Sequence, residues 1–365
     1  MDPLAVGLVG CGNISDRYIA VDDVFDAFDI VACADLDADL AEETAENHEI
    51  DALAVEDLLA EDSVEAVVNL TPPHAHAAVI TDALEAGKHV YTEKPFATTV
   101  ADAQDVVATA AEHDLLVGSA PDTFLGAGLQ TARQVIDEGR IGDPVGATAH
   151  WTSPGHELWH PNPDLYYEAG GGPLFDMGPY YVTALVFLLG SARRVAGSVS
   201  RPHETRTIES DPRAGEEIPV DVPTHEAGLV DFESGATANL LMSFDVEAST
   251  FPRPAFEIYG TEATLSLPDP NHFEGPVRVR SHDDESWETV SLTHDYTDGR
   301  GAGLADLAYA VRGDWDHRTS GALASHVLEI MAAVRSSSEE SAFATIESDP
   351  GRPTPLPRSF PDVDV

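Results

Sequence analysis

The chain has 365 residues, 43% of them hydrophobic, and 65 acidic against 19 basic side chains give a formal charge of −46. That much apolar material fills large cores, which excludes a disordered polyanion. The charge argues against nucleic acid and anionic membrane as partners, because phosphates would be repelled.

The first part alternates short apolar runs with helical patterns, as parallel strands with crossover helices do. Strands are expected over 5–9, 30–34, 66–70, 89–92 and 115–119, and helices over 38–48, 74–86 and 99–113. After Pro121 the pattern changes. A helix over 129–138 precedes strands over 145–152, 195–200, 228–232, 236–244, 256–259 and 277–280, with a hairpin at Asp231-Phe232-Glu233-Ser234-Gly235. An apolar helix is expected over 179–189, and a later one carries Leu323, Val327, Ile330, Met331 and Val334 at helical spacing. From about Ser348 the tail, rich in proline and aspartate, reads as irregular. The fold class is α/β: a doubly wound parallel sheet over residues 1–121, then an α+β domain over 122–365 with a large, mostly antiparallel open sheet.

No apolar run reaches the ~20 residues of a membrane span, and the N-terminus reads as a strand rather than a secretory leader. Cys11 and Cys33 are the only cysteines, so no disulfide framework is expected and a reducing, cytoplasmic setting fits. Of the 19 basic residues, 17 are arginine and two, Lys88 and Lys94, are lysine. Near-absence of lysine with carboxylates in every segment points to a cytosol of very high salt, where self-repulsion is screened. Lys88 reads as a helix C-terminal partner. Lys94 is the candidate for chemistry, its alternative being a surface ion pair with Glu93.

Gly10 and Gly12 in Gly7-Leu8-Val9-Gly10-Cys11-Gly12-Asn13-Ile14-Ser15 follow the first strand and open a βαβ unit. They permit a tight turn and close backbone approach to a pyrophosphate, as in a Rossmann dinucleotide site, with Ser15 as the small third residue. Asp35 ends the second strand 23 residues after Gly12, where an acid would hold the adenosine ribose hydroxyls. Leu36 offers no charge to a 2′-phosphate, so NAD is favoured over NADP. The alternative is that Asp35 caps the following turn. His156, Glu157, His160 and Asp164 lack a tight ligand spacing, and no metal is expected.

Gly10-Cys11-Gly12-Asn13-Ile14-Ser15, Thr71-Pro72-Pro73-His74, Glu93-Lys94-Pro95 and Gly170-Gly171-Gly172-Pro173-Leu174-Phe175-Asp176-Met177-Gly178 together resemble the glucose–fructose oxidoreductase / inositol dehydrogenase / MocA family, in its order and spacing and over nearly the whole chain. The resemblance implies a pyridine-nucleotide oxidoreductase of sugars, polyols or related cyclic alcohols. It implies that Gly10, Gly12, Asn13, Ile14, Asp35, Thr71, Pro72, His76, Glu93 and Lys94 line the cofactor, with Lys94 beside the nicotinamide and Pro95 cis. Asp176 matches the aspartate that orients substrate hydroxyls. Where many members have histidine four residues later, this chain has Tyr180, which with Lys94 could act as acid and base. Many members place an Asn-Arg pair near Asp122, which here offers an acceptor suited to hydroxyls. Trp159 and His160 would supply an aromatic face and a hydrogen-bond partner for a sugar ring, or else a packed loop.

The resulting expectation is an NAD-dependent dehydrogenase with Lys94, Asp176 and Tyr180 catalytic and Asp122, Trp159, His160, Asp176 and Tyr180 around the substrate. An aldose oxidised at its anomeric carbon to a lactone leads. Inositol oxidation, an NAD-retaining glycosidase and a non-catalytic nucleotide-binding regulator are the alternatives. The open sheet face implies a homodimer or homotetramer.

Overall fold

A computed structural model describes residues 2–21, 24–252, 254–297 and 299–360. Its elements in chain order are β1 (Leu4–Val9), α1 (Ser15–Ile19), β2 (Phe28–Ala34), α2 (Ala38–His48), β3 (Asp51–Ala52), α3 (Val55–Ala60), β4 (Ala66–Asn69), α4 (His76–Glu85), β5 (His89–Thr92), α5 (Val100–Glu112) and β6 (Val117–Ser119). There follow α6 (Ala127–Asp137), β7 (Pro144–Thr152), α7 (Pro173–Leu189), β8 (Ala192–Ser200), β9 (Thr205–Thr207), β10 (Glu217–Pro219), β11 (His225–Phe232), β12 (Thr237–Ser243), β13 (Ala255–Gly260), β14 (Ala263–Ser266), β15 (Val277–Ser281) and β16 (Glu288–Val290). The chain ends with α8 (Ala302–Arg312), α9 (Gly321–Glu340) and β17 (Ala344–Thr345).

Two compact units result. The first joins the residues up to Gly126 to His294–Leu328 and the segment from Leu356; the second is Ala127–Thr293 with Glu329–Pro355. The boundary read at Pro121 therefore falls five residues further on, and the first unit is discontinuous. Its physical reason is Asp122, described below, which anchors the returning segment at α8. Sequence patterning missed α8, because its Gly301-Ala302-Gly303 start carries no capping side chain.

The first unit is a six-stranded parallel sheet in the order β3-β2-β1-β4-β5-β6, the doubly wound arrangement expected. Its central strands are largely apolar because helices cover both faces: Val6, Leu8, Val67, Val68 and Val90 are wholly buried. Asp37 and Thr99 start α2 and α5 by accepting from the backbone N–H groups of Asp39 and Asp102, satisfying donors that the helix leaves open.

The second unit holds a nine-stranded sheet, β16-β15-β14-β13-β7-β12-β11-β8-β17, antiparallel except where β7 lies parallel to β12. β11 and β12 form the expected hairpin. Helix α7 packs on β7, β11 and β12. The outward face is polar: Thr148 meets Tyr259 at 2.9 Å, and His150 meets Asn239 at 2.8 Å. α7 begins at Pro173 rather than at Pro179, which lies inside it. Proline ordinarily breaks a helix interior. Here 16 of the 17 residues of α7 are buried, and packing on that scale outweighs the missing hydrogen bond. The early start places Asp176 in the first turn of a helix.

Candidate active site

In the first unit the turn after β1 has the backbone that a dinucleotide requires. Gly10 has φ +102°, and a Cβ there would lie 2.8 Å from the backbone of Leu70. Gly12 would place its Cβ in open space, so nothing in the protein itself demands glycine. A ligand backbone passing close by would demand it, and in this respect the turn fits a pyrophosphate. Asn13 is exposed and Ile14 half-buried at the start of α1. Because α1 is five residues long, backbone N–H groups rather than a helix dipole are what this turn presents. The Ser15 hydroxyl bonds back to Gly12 O at 2.7 Å and packs inward, as expected of the small third residue.

Asp35 takes the turn-capping role weighed for it and also ties down the glycine loop. Oδ1 accepts from Asp37 N at 2.9 Å, capping the turn, and Oδ2 accepts from Cys11 N at 2.8 Å, holding the glycine loop. A carboxylate has about four acceptor sites, so ribose hydroxyls can add to these. Leu36 beside it is 99% exposed.

Two turns further along the sheet are tied together. Thr71 donates through N and Oγ1 to Asn69 Oδ1 at 3.2 and 2.7 Å, ahead of the exposed Pro72. His76 is buried, with Nε2 2.7 Å from Thr71 O and Nδ1 2.6 Å from Pro95 O. The expectation that His76 lines the cofactor is corrected: both ring nitrogens are engaged with backbone, so it joins the Thr71 and Pro95 turns instead. The Lys94-Pro95 bond is cis, as the resemblance implied. Glu93 accepts from Tyr18 Oη at 2.9 Å, faces Arg300 Nη1 at 3.5 Å and accepts from Lys94 N at 3.1 Å. Burial and the neighbouring Glu93 push the Tyr18 phenol well above its usual range, which keeps it a donor.

Asp122 departs from its expected role. It is wholly buried in the first unit, and Oδ2 accepts from Gly301 N at 2.9 Å and Gly303 N at 3.0 Å. Burial raises its carboxyl above the ordinary range. Asp122 therefore caps α8, and a group with no exposure is not the substrate acceptor that was expected.

The second unit brings Asp176, Trp159 and His160 together around His156, which was not among the expected site residues. Asp176 Oδ2 lies 3.0 Å from His156 Nε2, in a residue 5% exposed. Edge contacts hold that imidazole between Tyr166 at 4.3 Å and Trp159 at 5.1 Å. Trp159 is 61% exposed and meets the His160 ring at 5.3 Å. His160 Nδ1 accepts from Asn162 N at 3.1 Å. Tyr180, one turn after Asp176 on α7, is 4% exposed. The signal for His156 was its place three residues before Trp159 and four before His160, the two expected around a sugar ring. Only tertiary structure shows that it meets Asp176. Among the described residues no group of three or more His, Cys, Asp or Glu is arranged to hold a metal.

Both units are similar to known oxidoreductases. Residues 4–120 match the model "Oxidoreductase family, NAD-binding Rossmann fold", and residues 129–266 match the GFO/IDH/MocA C-terminal domain. A dTDP-3,4-didehydro-2,6-dideoxy-alpha-D-glucose 3-reductase of Saccharopolyspora spinosa is 30% identical over 76% of this chain and 79% of its own length. A 1,5-anhydro-D-fructose reductase of Ensifer adhaerens is 31% identical, over 58% of this chain and 59% of that protein. In fold, the chain is similar to an NAD binding oxidoreductase from Klebsiella pneumoniae (TM-score 0.82, 23% identity, 95% of this chain and 100% of that one). It is also similar to levoglucosan dehydrogenase in complex with NADH and L-sorbose (TM-score 0.82, 20% identity, 95% and 100%).

Proposed function

The chain belongs to the glucose–fructose oxidoreductase / inositol dehydrogenase / MocA family of oxidoreductases, and on that premise we propose that it is an NAD-dependent dehydrogenase of a sugar or polyol. The observation that carries this reading is the Asp176–His156 pair beside the exposed indole of Trp159. An ionised carboxylate accepts hydrogen bonds from hydroxyls, and an indole face covers the C–H side of a sugar ring. The sugar reductases among its relatives support that substrate class. An aldose oxidised to its lactone leads, with a cyclitol second.

NAD, when bound, supplies the hydride acceptor. Asp35 would hold the adenosine ribose, and the Gly10–Gly12 turn would admit the pyrophosphate. Asp176 would orient hydroxyls, with His160 and Trp159 flanking the ring and Tyr180 taking the hydroxyl proton, and Lys94 is the catalytic residue proposed in the first unit. The outward sheet face serves a homodimer or homotetramer, whose mass in solution light scattering reads directly. Among the described residues no helix is long and apolar enough to cross a membrane.

The test is NADH production on a panel of aldoses, anhydrosugars and cyclitols in multi-molar KCl. Stoichiometric NADH with one class supports the reading. Cleavage of glycosides without net NADH replaces it with the NAD-retaining glycosidase.

A further inference from the structure

Immediately after β7 the chain makes a tight turn that is held from behind by a buried charged network and carries one ring on its front. Gly155 has φ +125°, and a Cβ there would lie 2.2 Å from the Glu157 carboxylate, so only glycine fits. Glu157 points inward and accepts from Tyr167 Oη and, at 2.6 Å, from Arg206 Nη1. Arg206 also pairs with Asp245 and donates to Pro154 O at 3.0 Å and Phe244 O at 3.1 Å. Tyr167 Oη in turn accepts from His156 N at 3.1 Å. Buried charges are costly unless paired and hydrogen-bonded, and this network pairs each of them around a three-residue turn.

What the turn presents is the His156 imidazole. Tyr166 lies 4.3 Å from it edge-on, Phe244 4.5 Å, Trp159 5.1 Å and Trp151 6.0 Å. Its Nδ1 is buried with no hydrogen-bond partner among the described residues. An orphaned buried nitrogen costs about 1–3 kcal/mol in general, so a packing role alone would be better served by an apolar ring. The polar contact that the imidazole does make is with Asp176 Oδ2. A carboxylate only accepts, so Nε2 carries the hydrogen in that contact.

We propose that His156 is the positioning residue of Asp176: by donating from Nε2 to Oδ2 it fixes the carboxylate's orientation and favours its ionised form toward substrate hydroxyls. The proposal rests on the dehydrogenase reading for its kinetic consequence and on geometry for the rest. Asp176 sits in the first turn of α7, where the helix end adds to the same preference. Of the other titratable or charged groups nearby, Tyr166 lies against the imidazole, His160 against Tyr166 and Trp159, Tyr180 one turn along α7, and Glu226 with Arg335 at the start of α7. Glu157, Tyr167 and Arg206 lie behind the turn.

The experiment compares wild type with His156→Phe, which fills the cage without a donor, and His156→Gln, which restores an N–H. Loss of the hydrogen bond should move the acid limb of the kcat/KM profile upward by about one pH unit in His156→Phe. The kcat should fall about 10–100-fold, NAD affinity should be unchanged, and His156→Gln should recover part of both effects. Carboxyl NMR of Asp176 reads the same shift without turnover, its midpoint rising in His156→Phe. If His156→Phe does not fold, His156→Met fills the cage without a donor. An unmoved acid limb and an unmoved Asp176 midpoint would overturn the proposal. Failure of wild type to reduce NAD on any substrate would count against the dehydrogenase reading alone, since the carboxyl titration still decides the role of His156.

Discussion

Lys88 and Lys94 had drawn attention as the two lysines among 19 basic residues, and the structure separates them. Lys88 Nζ donates to Glu61 O at 2.8 Å and Val64 O at 2.7 Å, closing the chain after α3 rather than ending its own helix. A compact ammonium with rotatable donors suits two converging carbonyls, which a planar guanidinium would not meet as well. Lys94 follows Glu93, whose carboxylate is shared by Tyr18, Arg300 and the Lys94 N–H. If Lys94 and Tyr180 move the substrate proton together, Lys94→Ala and Tyr180→Phe each lower kcat by about 10²–10⁴. Their double variant should fall little further, because groups acting as a unit are non-additive. Near-normal kcat in Tyr180→Phe with loss of turnover in His160→Ala would assign the base to His160. At the ribose end, the 99% exposure of Leu36 leaves room for a guanidinium. Asp35→Ser with Leu36→Arg should therefore shift the kcat/KM ratio toward NADP, and the comparison is best made at the lowest salt the fold tolerates. A wild type that prefers NADP would remove the basis of this swap.

Among the elements, α7 carries the most. Glu226 on β11 accepts from Leu174 N at 3.0 Å and from Arg335 Nε at 2.7 Å, fastening the first turn of α7 to the sheet and to α9. Burial pushes the Glu226 carboxyl up, against the pull of Arg335. Gly172, at φ +99°, leaves 2.7 Å between a notional Cβ and Arg335 Nη2, so the glycine run is there to let this junction close. Glu226→Ala should destabilise the fold by about 3 kcal/mol, the low end of the range for breaking a buried pair because Arg335 is partly exposed. Thermal melting checks this; an unchanged midpoint would show that α7 is held by its apolar contacts alone. The same helix shows what sequence could and could not reveal. Apolar content made its body legible, yet Pro179 hid its true start, because local propensity cannot register a helix buried on nearly all sides. Strands β1, β2, β4, β5 and β6 were legible for the opposite reason, since their apolar runs and intervening helical periods follow from a sheet covered on both faces, whereas the two-residue, exposed β3 left no such run. Asp176 was legible from its motif. His156 as its partner was not, since their contact depends on a network linking Glu157, Tyr167, Arg206 and Asp245 across four separate segments.

For the whole molecule, the charge of −46 outweighs any single ion pair in setting how stability responds to solvent. At 1 M salt the Debye length is ~3 Å, against ~10 Å at 0.1 M, so carboxylate repulsion is confined to near neighbours only in concentrated salt. The melting temperature should therefore climb as KCl is raised from dilute buffer to multi-molar, with activity following it. An unchanged melting temperature in dilute buffer would contradict adaptation to high salt. Asp122 belongs to this scale as well, because its capping of α8 makes the first unit a discontinuous body, which composition and motif spacing do not reveal. The central claim is hydride transfer from a sugar or polyol carbon to NAD, and transfer of label tests it most directly. With a substrate carrying deuterium at the oxidised carbon, the account predicts NADH one mass unit heavier, formed in step with the oxidised sugar and lost in Lys94→Ala. Label returned to the sugar ring with no heavy NADH released, or unlabelled cofactor throughout, would contradict it.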